Sequence, residues 1–115
     1  MLIILSRSFR QDTVFQAQEA NALIILNHPN WGQPPHWSAD EIRELTDFDG
    51  IEIYNGMADR LIGQSLATDV WDAVLTQGQR CWGYASDDAH ELFDIGRAWV
   101  MVKADTCEAE PIQAA

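Results

Sequence analysis

Basic residues are scarce in this chain, with 7 Lys and Arg against 18 Asp and Glu and a formal net charge of -11. A protein that binds nucleic acid through its phosphates needs clustered Lys and Arg, so that partner class is disfavoured. Cysteine is nearly absent. Cys81 and Cys107 stand too far apart for a CxxC motif. Two cysteines make no disulfide framework, and a reducing compartment, hence the cytoplasm, is the default. No apolar run approaches the roughly 18 to 20 residues of a membrane span. The opening "MLIILSRSFRQ" carries a very short apolar patch, with no positive region before it and no small-residue cleavage site. It reads as a strand or strand remnant rather than a signal peptide. Internal repeats and low-complexity segments are missing. Histidine is rare, at positions 28, 36 and 90 only.

What is present suits one small domain. The chain has 115 residues, 47% of them apolar, and five tryptophans. A core can form, although a domain of this size buries a modest fraction of its surface. Large aromatics bring much burial area each, and most of the tryptophans are expected to serve packing.

Apolar runs and helical patterns alternate. "DTVFQAQEANA" suits a helix, with Asp12 or Thr13 as N-cap. "ALIILN" is a continuous apolar run of the kind found in strands buried on both faces. "HPNWGQPPHW", with three prolines and a glycine, is a loop. "SADEIRELTDF" holds a capping-box pattern, Ser38 followed by Glu41, and predicts a short helix. "DGIEIYN" predicts a strand. "SLATDVWDAVLTQGQ" spaces Leu66, Val70, Val74 and Leu75 as a helix does and ends at Gly78. "RCWGYAS" and "RAWVMVKA" predict two more strands, and residues 105–115 a flexible tail. Such alternation implies βα units, a mainly parallel sheet and an α/β fold.

In parallel α/β folds the chemistry gathers where strands end. His28 directly follows "ALIILN"; Asp88 and His90 directly follow "CWGYAS". Two imidazoles and a carboxylate on one side of a sheet make a mixed N/O set that zinc, manganese or iron accepts. In extended backbone Asp88 and His90, two apart, point the same way, while Ala89 faces away. A polar loop on an acidic protein is the plainer alternative.

The segments "LNHPNW", "GIEIYNG", "WDAVLTQGQRCWGYASDDAH" and "GRAWVMVKA" together resemble the C-terminal half of a PHP (polymerase and histidinol phosphatase) domain, from about residue 12 to residue 104. The branch they look most like is that of the carbaryl-hydrolase-like metallohydrolases. "HP" alone says little; the D-D-A-H segment behind a W-D-x-x-L-x-x-G helix is more specific. The resemblance implies a distorted (β/α)7 barrel, mainly parallel, with a metal cluster at the C-terminal strand ends. It implies metal-ligand roles for His28, Asp88 and His90. Glu52 and Asn55 fall at the end of the "EIYN" strand, near the implied active site, on its substrate side or behind the ligands. An outward-facing strand position is the alternative for Glu52. Asp87 either orients His90 or is solvated. Asp72 is expected to make a structural contact. Trp31, His36 and Trp37 are placed to shape a substrate mouth, the alternative for Trp31 and Trp37 being to cover the barrel end.

The implied chemistry is hydrolysis of a small-molecule phosphoester or related ester by metal-activated water. The family's opening H-x-H strand and second histidine-bearing segment have no counterpart here. The chain is therefore expected to be the C-terminal half of such a domain, completed by a missing N-terminal half or by self-association. The competing expectations are a non-catalytic fragment that binds at most one metal ion and, on net charge alone, an acidic module docking a basic partner.

Overall fold

The structure, a computed structural model, describes residues 7–32, 35–61 and 63–114. The elements run α1 (Arg7–Glu19), β1 (Ile25–Leu26), α2 (Ala39–Glu44), β2 (Gly50–Asn55), α3 (Thr68–Thr76), β3 (Trp82–Ser86) and α4 (Ala109–Gln113). Short 3-10 turns at Ala58–Arg60 and Leu92–Asp94 follow β2 and β3. The strands form a three-stranded sheet in the order β1-β2-β3, and both pairings are parallel. The fold is thus mixed α/β around an all-parallel open sheet, as the alternating pattern implied.

The core explains the arrangement. Ile42 and Leu45 from the α2 region, Val70 and Val74 from α3, and Leu26, Phe48, Ile51 and Cys81 from the sheet region form one buried cluster. Trp37 and Trp71 pack against it, and the Trp71 indole N–H donates to the Cys81 carbonyl at 3.1 Å. α2 starts as its sequence predicts: Ser38 Oγ accepts the Glu41 N–H at 3.1 Å, and the Glu41 carboxylate accepts the Ser38 N–H at 2.8 Å. α3 ends at Thr76, and Gly78, just past the Gln77 cap, turns the chain with a φ of 86°, a conformation that glycine adopts freely. α1 attaches through Arg10, which pairs with Glu41 at 3.1 Å and stacks over the Trp37 ring at 4.2 Å.

β2 carries the irregularity that matters most. Glu52 pairs with Tyr84, yet Tyr54 pairs with Ala85, so the register slips by one residue around Ile53. In a regular strand Glu52 and Asn55, three apart, would face opposite ways. The bulge brings them to the same side, where Asn55 Nδ2 donates to Glu52 Oε2 at 3.0 Å. Above the short β1, residues 65–67 take over the flank of β2: Asn55 N–H donates to Ser65 O at 3.0 Å and Ala67 N–H to Ile53 O at 2.9 Å.

Several elements differ from expectation. α1 begins at Arg7, so the polar "SRSFRQDT" stretch is largely helical and Asp12 and Thr13 lie inside the helix rather than at its cap. β1 is only two residues long, because its chain turns into a left-handed conformation at His28, φ 35°. Residues 97–104, expected as a strand, form none. The N–H groups of Gly96, Arg97 and Ala98 are taken by the Asp87 carboxylate at 2.6 to 2.7 Å and so are not free for a strand ladder. Trp99 and Met101 beyond them are exposed. The predicted strand at the N-terminal apolar patch lies outside the described residues. The tail carries the one-turn α4.

Candidate active site at the strand ends

The C-terminal ends of the three strands meet at one carboxylate. Glu52, on β2, is 4% exposed. Its Oε2 accepts the main-chain N–H of His28 at 2.6 Å and Asn55 Nδ2 at 3.0 Å. Its Oε1 accepts a short hydrogen bond from the Ser86 hydroxyl at the end of β3. With three donors around it, Glu52 serves as an acceptor through both oxygens.

Asn55 extends the array. It is 2% exposed, and its second Nδ2 bond goes to Asp88 Oδ2 at 3.1 Å. Its Oδ1 accepts the Ala58 N–H at 2.8 Å. The amide orientation follows from these partners: nitrogen toward two carboxylates, oxygen toward an N–H. Glu52 and Asp88 therefore face each other across one amide. Among the described residues, neither carboxylate has a Lys or Arg in ion-pair contact; Asp88 has only the His90 ring, at 4.0 Å.

Two of the sequence-predicted residues are held in strained backbone. His28 has φ 35° and Asp88 φ 48°. A non-glycine residue in a sparsely populated region costs about 1 to 3 kcal/mol and persists where its surroundings fix it. Here the His28 N–H is fixed by Glu52, and the Asp88 side chain by Asn55.

The imidazoles divide into two environments. His28 and His36 approach through their Nδ1 atoms at 3.1 Å, so one ring donates and the other accepts. Burial first, then His28 and Arg10, hold the His36 imidazole below its ordinary pKa. Trp31 flanks both rings, with centroids 5.7 Å from His28 and 6.3 Å from His36. His90, in contrast, is largely exposed, and its Nδ1 lies 2.7 Å from the Asp88 carbonyl oxygen. A carbonyl only accepts, so Nδ1 carries a proton, and in the neutral ring Nε2 is then the atom with the lone pair. That is the tautomer of an imidazole ready to ligate a cation.

The structure thus gathers His28, Glu52, Asn55 and Asp88 into one hydrogen-bonded array, with His90 beside Asp88. Asp87 is turned elsewhere. Its carboxylate binds the N–H groups of residues 96–98, and these bonds, Gly96 first and then Ala98, hold its pKa below the usual range. Ser86, Arg60 and Asp94 were not singled out from the sequence. Ser86 had a usable signal, as the last residue of a predicted strand.

The donor chemistry, imidazole with carboxylate, fits zinc, manganese or iron. The side chains are not drawn together as a cage: among the described residues, no three His, Cys, Asp or Glu groups converge to hold a metal ion. Asp88 and His90 stand as a pair, while His28 is turned to His36. No protein-family model matches the chain, and neither the curated proteins nor the solved structures contain a significant match. Among the described residues, no helix is long and apolar enough to cross a membrane.

Proposed function

We propose that this chain is a metal-dependent hydrolase of the PHP type, acting on a small phosphoester or related ester. The observation that supports it most is the Glu52–Asn55–Asp88 array. Two carboxylates share one amide at the ends of parallel strands, with no Lys or Arg paired to either among the described residues. Negative charge concentrated in this way attracts a cation. In this reading the sheet is part of the distorted (β/α)7 barrel.

The residues that would hold the ion are Asp88, His90 through Nε2, and His28. When bound, a divalent ion lowers the pKa of its water and offsets negative charge on the substrate. The chain's own groups do the rest. Glu52 holds the His28 main chain and Ser86, Asn55 orients Asp88, and the Nδ1–Nδ1 hydrogen bond to His36 holds the His28 ring in place. Trp31 lies against that histidine pair. The free thiols of Cys81 and Cys107 accord with a reducing compartment, and we place the protein in the cytoplasm on that ground.

A second reading, a PHP-like domain that binds one ion and turns nothing over, is favoured by the lack of a converged three-group cluster among the described residues. Hydrolysis of an aryl phosphate with added manganese or zinc separates the two. Metal-dependent turnover that is lost in Asp88→Ala supports the enzyme. Metal binding without turnover selects the second reading. A protein that neither binds metal nor hydrolyses the ester overturns both.

A further inference from the structure

His90 sits in an exposed loop, where a free imidazole would sample both tautomers and many rotamers. Its surroundings are more ordered than its exposure implies. Four residues on, Asp94 is fully buried, at 0% exposed. Its Oδ2 accepts the main-chain N–H of His90 at 3.2 Å and of Glu91 at 3.0 Å. Its Oδ1 is buried without an aligned hydrogen-bond donor among the described residues, and is compensated by Arg60, whose Nη2 lies 3.1 Å away. A buried carboxylate is costly unless its charge is met. Burial pushes its pKa up, and the N–H groups of His90 and Glu91, with Arg60 and Arg97, outweigh that and hold it below the ordinary range.

Arg60 is itself placed. It ends the 3-10 turn after β2, whose Ala58 N–H is bound by Asn55 Oδ1. Its guanidinium lies over the Phe93 ring at 4.8 Å, with Nη2 3.2 Å from Met57 Sδ. Asn55 therefore reaches both loop residues of the candidate site. One route runs through Nδ2 directly to Asp88. The other runs through Ala58 and Arg60 to Asp94, and from Asp94 to the His90 main chain. Fixing the main chain at His90 keeps its Nδ1 within reach of the Asp88 carbonyl.

We propose that Asp94, backed by Arg60, is the positioning residue that locks His90 as the Nδ1–H tautomer with Nε2 open. Its functional meaning rests on the metal-ligand role of His90; the tautomer itself does not. The test uses the full chain with 15N-labelled histidine. Long-range 1H–15N spectra report the His90 tautomer, zinc titration reports affinity, and a thermal melt confirms folding. In the wild type His90 is the Nδ1–H form. In Asp94→Ala it becomes a tautomer mixture, and zinc affinity falls on the order of tenfold, the usual cost of losing a group that orients a ligand. Asp94→Asn, which keeps an acceptor for both N–H groups but loses the ion pair to Arg60, falls between wild type and Asp94→Ala. Arg60→Gln moves the His90 signals in the same direction as Asp94→Ala and decides the matter if that variant does not fold. Unchanged His90 signals in folded Asp94→Ala or in Arg60→Gln would overturn the proposal, as would an Asp94→Asn variant as disordered as Asp94→Ala. If the wild type binds no zinc but its tautomer responds as stated, the metal reading fails and the positioning role stands.

Discussion

Removing the Glu52 carboxylate strips the acceptor from three donors at once: the His28 N–H, Asn55 Nδ2 and the Ser86 hydroxyl. Each buried donor left without a partner costs about 1 to 3 kcal/mol. The three losses are unequal. Asn55 keeps Asp88 as an acceptor, and the Ser86 hydroxyl can rotate. The His28 N–H lies in a left-handed turn that the same bond holds, so its loss also releases strained backbone. Against this, Glu52 is a buried charge without an ion-pair partner among the described residues, and deleting it recovers some desolvation. The balance for Glu52→Ala is a loss of about 3 kcal/mol, a large part of the roughly 5 to 15 kcal/mol that holds a domain together. Glu52→Gln keeps the shape and one carbonyl oxygen, so it costs about half as much. Urea unfolding followed by tryptophan fluorescence gives both values. The reasoning fails if Glu52→Ala lies within about 0.5 kcal/mol of wild type, or if Glu52→Gln is the worse of the two.

Other outcomes follow from the core and the loop. Ile42 is fully buried between the helices and the sheet, and Ile42→Ala is expected to lower stability by about 2 to 5 kcal/mol in the same assay. A Cβ at Gly50 would run into the Tyr84 ring and lie 2.7 Å from the Trp82 carbonyl, which belongs to the paired strand and cannot swing aside. Gly50→Ala should therefore cost about 1 to 3 kcal/mol, read as a lower midpoint at unchanged denaturant slope. Asp87 has a depressed folded-state pKa, so its contribution is present above the ordinary Asp range and is lost as pH falls through the lower folded value. The amide signals of Gly96, Arg97 and Ala98 should shift together below about pH 4. That joint transition should vanish in Asp87→Asn.

Much of the fold was legible because its signals are local. The Ser38–Glu41 capping box starts α2 as its spacing demands. The helical spacing of Leu66, Val70, Val74 and Leu75 placed Val70 and Val74 in the core, while Leu66, before the helix, and Leu75 are exposed. The apolar runs marked β1, β2 and β3, and parallel pairing followed from alternation. The failures came from contacts distant in sequence. "RAWVMVKA" has the composition of a strand, yet Asp87 removes the N–H groups at its start. Nothing in the spelling of "GIEIYN" announces the bulge that puts Glu52 and Asn55 on one side. The same limit applied to the site. The strand-end rule pointed to His28, Asp88 and His90 and the resemblance added Glu52 and Asn55, whereas the contact between Asp94 and Arg60, 34 positions earlier, has no local signal.

The most direct test of the metal account is a calorimetric titration of the purified full chain with zinc and with manganese, beside His28→Ala and Asp88→Ala. The account predicts stoichiometric binding to the wild type and a loss of affinity of about tenfold or more in each variant. No binding to the wild type, or binding that both variants leave unchanged, would contradict it.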